Sequence, residues 1–171
     1  MIGVTLALVL ISLISAGHPA LDSVRLEFKN KESFKVQFEQ KVTQELFPDD
    51  PEQASGRIQF TKPNQFEWVY EKPQKKKIRF DGKQLWVDGE LVTTPGISLE
   101  EAFSFLWGEA DSKIFDIEKV STKQFRLKVK KGLETSFKSI DVWVENSRVS
   151  QAIVHDQLDG SSQIRFFNWK F

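Results

Sequence analysis

The chain has 171 residues, and its 24 basic and 24 acidic side chains cancel to a formal charge of zero, which suits one domain with a real core and lacks the basic face that nucleic acid needs. It has no cysteine, which excludes disulfides, thiolate metal sites and cysteine nucleophiles. Fifteen Phe and five Trp stand against a single Tyr and a single Met; large rings without polar tips suit a surface meant for hydrocarbon, although a plain β-sandwich core also uses them.

Residues 2–16 are uncharged and mostly aliphatic. The run is shorter than the about 20 apolar residues of a membrane-spanning helix, so residues 1–17 are expected to be a signal peptide cleaved after Ala16 or Gly17. No cysteine follows to accept a lipid. Residues 18–171 are therefore expected to form a single soluble domain in the periplasm. Behind Pro19, Leu21, Val24 and Phe28 recur among charged residues at helical spacing and predict a short amphipathic helix lying across a sheet.

From Ser33 the period changes to two, with Phe34, Val36 and Phe38 on one face. Pro48-Asp49-Asp50-Pro51 is expected to turn the chain, and Gly56 opens the next strand. Ile58 and Phe60, then Phe66, Trp68 and Tyr70, then Ile78 and Phe80 alternate with polar neighbours, so consecutive strands each offer an apolar face. Asp-Gly dipeptides at 81–82, 88–89 and 159–160 mark hairpin turns, and Lys83 to Val87 forms a short strand between the first two. Ser98 to Trp107 breaks the pattern. Ser98 with Glu101 makes a capping box, Leu99, Phe103 and Leu106 fall at helical spacing, and Gly108 ends the segment. Alternation then resumes from Phe125 to Phe166. The expected fold is mainly β, with about eleven antiparallel strands joined by short connections and two short helices as covers. Periodicity leaves open whether the sheet curls into an unclosed half-barrel or packs as a filled sandwich.

Residue sets for catalysis or metal binding are weak. His18 and His155 are too few and too far apart for a three-histidine zinc site, and His155 with Ser161 and Ser162 lacks a nucleophile elbow. Asp49, Asp50 and Glu52 lack calcium-loop spacing. Lys72 to Lys77 is a basic hairpin tip, read as a solvated loop or as a docking patch for acidic partners or anionic head groups. No catalytic, cofactor or metal site is expected.

Several separated words carry a family resemblance: S-F-K-V-Q-F-E-Q-K-V from Ser33, K-P-N-Q-F-E-W from Lys62, D-G-K-Q-L-W from Asp81, and F-S-F-L-W-G followed by F-D-I-E. In this order and spacing the chain resembles the periplasmic outer-membrane lipoprotein carrier (LolA) family from about Ser33 to Ile164. The resemblance implies an unclosed half-barrel with a helical lid over a chamber for acyl chains. The chamber lining would be Phe34, Phe38, Ile58, Phe60, Phe66, Trp68, Tyr70, Ile78 and Phe80, with Phe103 and Leu106 from the lid. It further implies a monomer that takes acylated lipoproteins from an inner-membrane ATP-driven exporter to an outer-membrane receptor, with no covalent chemistry.

Two departures stand out. The residue before the Pro-Asn turn is often Arg in the carriers, where it ties the lid shut, and here it is Lys62. Lysine keeps the charge but not the planar fork; it is expected to latch the carbonyl end of the Ser98–Trp107 helix. The chain also stops at R-F-F-N-W-K-F, where carriers commonly continue. The alternatives are a lipid-binding sensor or receptor on the same half-barrel, and a secreted β-sandwich enzyme.

Overall fold

The structure, a computed structural model, describes residues 17–93 and 102–171 apart from the side chains of Phe47 and Pro48. Residues 1–16 of the expected signal peptide and the Ser98–Glu101 capping box lie outside the described residues. Helix α1 (Pro19–Phe28) has its proline in the first turn, where the missing N–H costs no hydrogen bond, and it buries Ala20, Leu21, Val24 and Phe28. Then follow strands β1 (Ser33–Gln44), β2 (Phe47–Thr61), β3 (Gln65–Lys72), β4 (Lys76–Phe80), β5 (Leu85–Val87) and β6 (Glu90–Val92). A short 3-10 helix, η1 (Phe103–Trp107), precedes β7 (Phe115–Lys119), β8 (Gln124–Val129), β9 (Phe137–Glu145), β10 (Arg148–Asp156) and β11 (Ser161–Lys170).

All eleven strands among the described residues belong to one sheet, in the order β6-β5-β4-β3-β2-β1-β11-β10-β9-β8-β7. Every described pairing is antiparallel. This excludes the two-sheet sandwich. Two meanders meet where β1 pairs β11, with Phe38 opposite Phe166 and Gln40 opposite Ile164. The edges are β6 and β7, the strands between which η1 lies in sequence. Period-two alternation puts the apolar residues of all the longer strands on one face, and α1 with η1 covers that face to make one core. The opposite face carries cross-strand ion pairs, among them Lys77 with Glu67 at 2.6 Å and Lys128 with Glu118 at 2.6 Å; such exposed pairs keep the face solvated more than they stabilise it.

Local chemistry explains the turns. Asp88 and Gly89 both have positive φ, 51° and 88°, as a two-residue hairpin turn requires. Asn146 and Ser147 do the same at 50° and 60° between β9 and β10, a turn with no Asp-Gly to announce it. Asp81 instead folds its carboxylate back to accept from the backbone N–H groups of Lys83 and Gln84 at 3.0 and 2.9 Å, and these donors hold its carboxyl below the usual aspartate range.

Two expected elements differ. The turn lies at Glu45 and Leu46, and Pro48 to Pro51 sit within β2. A register shift between Val42 and Gln44 absorbs the extra length. The prolines are tolerated because β3 pairs β2 only from Ser55 onward, so one side of this stretch is an open edge. The described part of the expected Ser98–Trp107 α-helix is a tight 3-10 turn over Phe103–Trp107, closed by Gly108 at φ 81°. Its N–H donates to the Phe105 carbonyl at 3.1 Å.

Candidate functional site

The covered face is an aromatic chamber built strand by strand. The β2–β3 register places Phe60 opposite Phe66, Ile58 opposite Trp68 and Gly56 opposite Tyr70, and β4 continues the rows with Phe80 beside Phe66 and Ile78 beside Trp68. From β1, Phe34 stacks on Phe60 at 5.2 Å between ring centroids, and Phe38 meets Trp68 edge-on at 5.1 Å. The structure thus brings the expected lining residues together on one face. Phe34, Phe38, Ile58, Phe60, Phe66, Trp68 and Ile78 are buried, as are Phe103 and Leu106 from η1; Tyr70 and Phe80 are half-buried at the margin.

The two helices fill the chamber from above. Phe103 contacts Trp68 edge-on at 4.7 Å, and Trp107 lies flat on Phe60 at 4.0 Å with 18° between the rings. Phe28 of α1 closes on Phe34 at 5.2 Å. Gly108 presses so tightly on α1 that an added Cβ would stand 2.3 Å from the backbone of Arg25. The lid therefore docks on α1 as well as on the sheet. Beside Trp107 a cleft of about 620 Å³ opens between the lid and the β3–β4 end of the sheet, lined by Phe66, Phe80, Ile114, Ala110, Asn64 and Arg25 among others. Its volume falls within the about 300–1,000 Å³ of small-molecule sites. Sequence patterns do not single out Trp107 or Ile114 as lining, because each lies beside a glycine or an acidic loop and outside any alternating run; the one available signal for Trp107 is its place just before Gly108.

Lys62 corrects the expectation placed on it. Its Nζ donates to the carbonyl of Lys29 at 2.9 Å, at the C-terminus of α1, while in η1 the carbonyls of Phe105 and Ser104 accept from the backbone N–H groups of Gly108 and Glu109. The physical argument for a cation at a helix carbonyl end holds, but the helix is α1. Lys62 and Trp107 border one groove together with Arg25 and Glu109.

Among the described residues no three His, Cys, Asp or Glu side chains are grouped to hold a metal. His155 stands on the solvent face of β10, where its Nε2 lies 2.9 Å from Oδ2 of Asp141. Ser162 faces the chamber side and takes a hydrogen bond from Gln40 at 2.6 Å, so it does not converge with His155, whereas Ser161 stands opposite His155 in the β10–β11 register. Asp141 is the one buried charged residue described, 5% exposed. Burial raises its pKa, yet the hydrogen bonds from Arg126 and His155 more than offset this and leave it below the ordinary aspartate value.

An open antiparallel sheet whose aromatic face is covered by two short helices is the frame of a class of apolar-ligand binding proteins. Comparison with known proteins gives the family. The family model described as outer membrane lipoprotein carrier protein LolA matches residues 29–171, and the chain belongs to this family. An outer-membrane lipoprotein carrier protein from Xanthomonas campestris pv. campestris is 30% identical over 146 residues, covering 78% of this chain and 69% of the relative. One from Nitrosomonas europaea is 26% identical over 117 residues, covering 62% and 57%. A LolA superfamily protein from Nitrosomonas europaea has a similar fold, with a TM-score of 0.52 at 14% identity over 89% of this chain and 91% of that one. Proteins of this carrier family are periplasmic binding proteins without enzymatic activity, and no helix among the described residues is long and apolar enough to cross a membrane.

Proposed function

We propose that this chain is a periplasmic chaperone that shields the acyl chains of lipoproteins. In this reading it receives them from an inner-membrane ATP-driven exporter, passes them to an outer-membrane receptor, and works as a monomer once residues 1–17 are removed. The observation that carries the reading is the lid: Trp107 covers Phe60 through one flat ring contact, beside a cleft that leads onto the aromatic rows. Displacing η1 exposes a continuous hydrocarbon-like surface. Each methylene buried there contributes about 0.8 kcal/mol, so even part of an acyl chain binds usefully.

Titration of the processed protein with a fluorescent lipopeptide tests this. Saturation with quenching of tryptophan emission is expected, because Trp68 and Trp107 line the path. Absence of binding would refute the carrier reading. Fractionation with N-terminal sequencing tests the leader: a soluble periplasmic product beginning near Gly17 or His18 is expected, and recovery only with membranes, residues 2–16 intact, would make it a tethered protein.

A further inference from the structure

We infer that Tyr70, Gln40 and Ser162 form a polar floor across the far end of the chamber and set the length of acyl chain it accepts. This rests on the acyl-binding reading above. The cleft opens at the Phe66 end of β3, beside Asn64, Phe80 and Trp107. From there the inward side chains of β3 run Phe66, Trp68, Tyr70, and at about 3.3 Å per residue the last lies roughly 13 Å from the first.

At that depth the chamber changes character. Tyr70 pairs with Gly56 on β2, and an added Cβ on Gly56 would stand 1.9 Å from the Val69 carbonyl oxygen. With no side chain at Gly56, the Tyr70 ring reaches past β2 to sit edge-on to Phe38 of β1, 5.3 Å away at 85°. Its hydroxyl lies 3.0 Å from Gln40 Oε1 and donates to it, and Gln40 Nε2 donates to Ser162 Oγ at 2.6 Å on β11. Polar groups thus satisfy one another from β3 to β11 across two intervening strands. Toward the mouth, the neighbouring inward positions Phe38, Trp68 and Ile164 are apolar and buried.

A chain end that stops short of this row meets mainly the apolar faces of Phe38, Trp68 and Ile164. One that pushes into it separates paired polar groups and offers no donor or acceptor in return. Affinity should therefore rise about fourfold with each methylene while the chain is short of the floor, and then level off.

The test uses saturated fatty acids from octanoate to arachidate competing with a fluorescent acyl probe on the processed protein, on Gln40→Ala, which removes the central link, and on Ser162→Ala. Circular dichroism and thermal melting verify that each variant folds, and Ser162→Ala carries the test if Gln40→Ala does not. A plateau in the parent that moves to longer chains in the variants supports the floor. An unbroken rise through arachidate in the parent, or the same plateau in parent and folded variants, overturns it. If no fatty acid competes at any length and the lipopeptide also fails to bind, it is the acyl-binding reading that fails.

Discussion

Trp107 of η1 lies face to face on Phe60 of β2, with ring centroids 4.0 Å apart and planes 18° from parallel. This broad, apolar contact holds the lid down together with Phe103 on Trp68 and Gly108 on α1, and under the proposed function an entering hydrocarbon chain would compete with it. Trp107→Leu should lower stability by about 1 kcal/mol, in line with the roughly 0.5–1.5 kcal/mol of an aromatic pair, and an acyl probe should enter faster. Denaturant unfolding and stopped-flow fluorescence check the two halves of this expectation. An unchanged entry rate would show that the lid opens elsewhere.

Gly108 couples that lid to α1. Its φ of 81° is a left-handed conformation, and an added Cβ would meet the Arg25 backbone at 2.3 Å. Gly108→Ala should cost at least about 1–3 kcal/mol from the backbone conformation alone, with the clash adding to it. Hydrogen exchange should show α1 and η1 losing protection together while β9 and β10 keep theirs. Loss of protection in η1 alone would mean that the two helices are independent.

Lys62 should behave as a cap for α1. Its contact with the Lys29 carbonyl lies at a partly exposed helix end, where a cation contributes about 0.3–1 kcal/mol. Lys62→Leu should lower the melting temperature slightly and speed exchange of the last α1 amides, while Lys62→Arg should preserve both. Equal behaviour of parent and Lys62→Leu would make it a solvated lysine.

Asp141 ties β8, β9 and β10 together on the solvent face, accepting from Arg126 Nε at 2.5 Å and Nη2 at 3.1 Å. Its pKa is depressed on folding. The stabilisation is therefore fully present above the unfolded value of about 3.9 and is lost as pH falls through the folded value. Asp141→Asn should cost about 1–3 kcal/mol near neutral pH, and the difference from the parent should shrink below about pH 4. Urea unfolding across pH checks it, and a difference that stays constant into acid would show that the charge is not involved.

Much of this architecture is legible locally. Alternation of Phe66, Trp68 and Tyr70 with Glu67 and Val69 commits β3 to one apolar face, because the strand period of two leaves no other way to bury three rings. The spacing of Leu21, Val24 and Phe28 behind Pro19 does the same for α1. The Asp88-Gly89 turn follows from residues that accept positive φ. Family words in order and spacing locate the lid and the Lys62 position.

What remained outside local reach depends on partners distant in the chain. Whether the apolar face would be covered by a second sheet or by helices was decided by the β1–β11 pairing, which joins two meanders into one open sheet. The position of the first hairpin was decided by the β1–β2 register, which overrode the turn propensity of Pro48 to Pro51. The carbonyl that Lys62 meets is that of Lys29, the residue capping the end of α1, 33 residues earlier. Periodicity tells which side a residue faces; only tertiary pairing determines what it faces, because register and helix docking minimise the exposed area of the whole chain and not of any one segment.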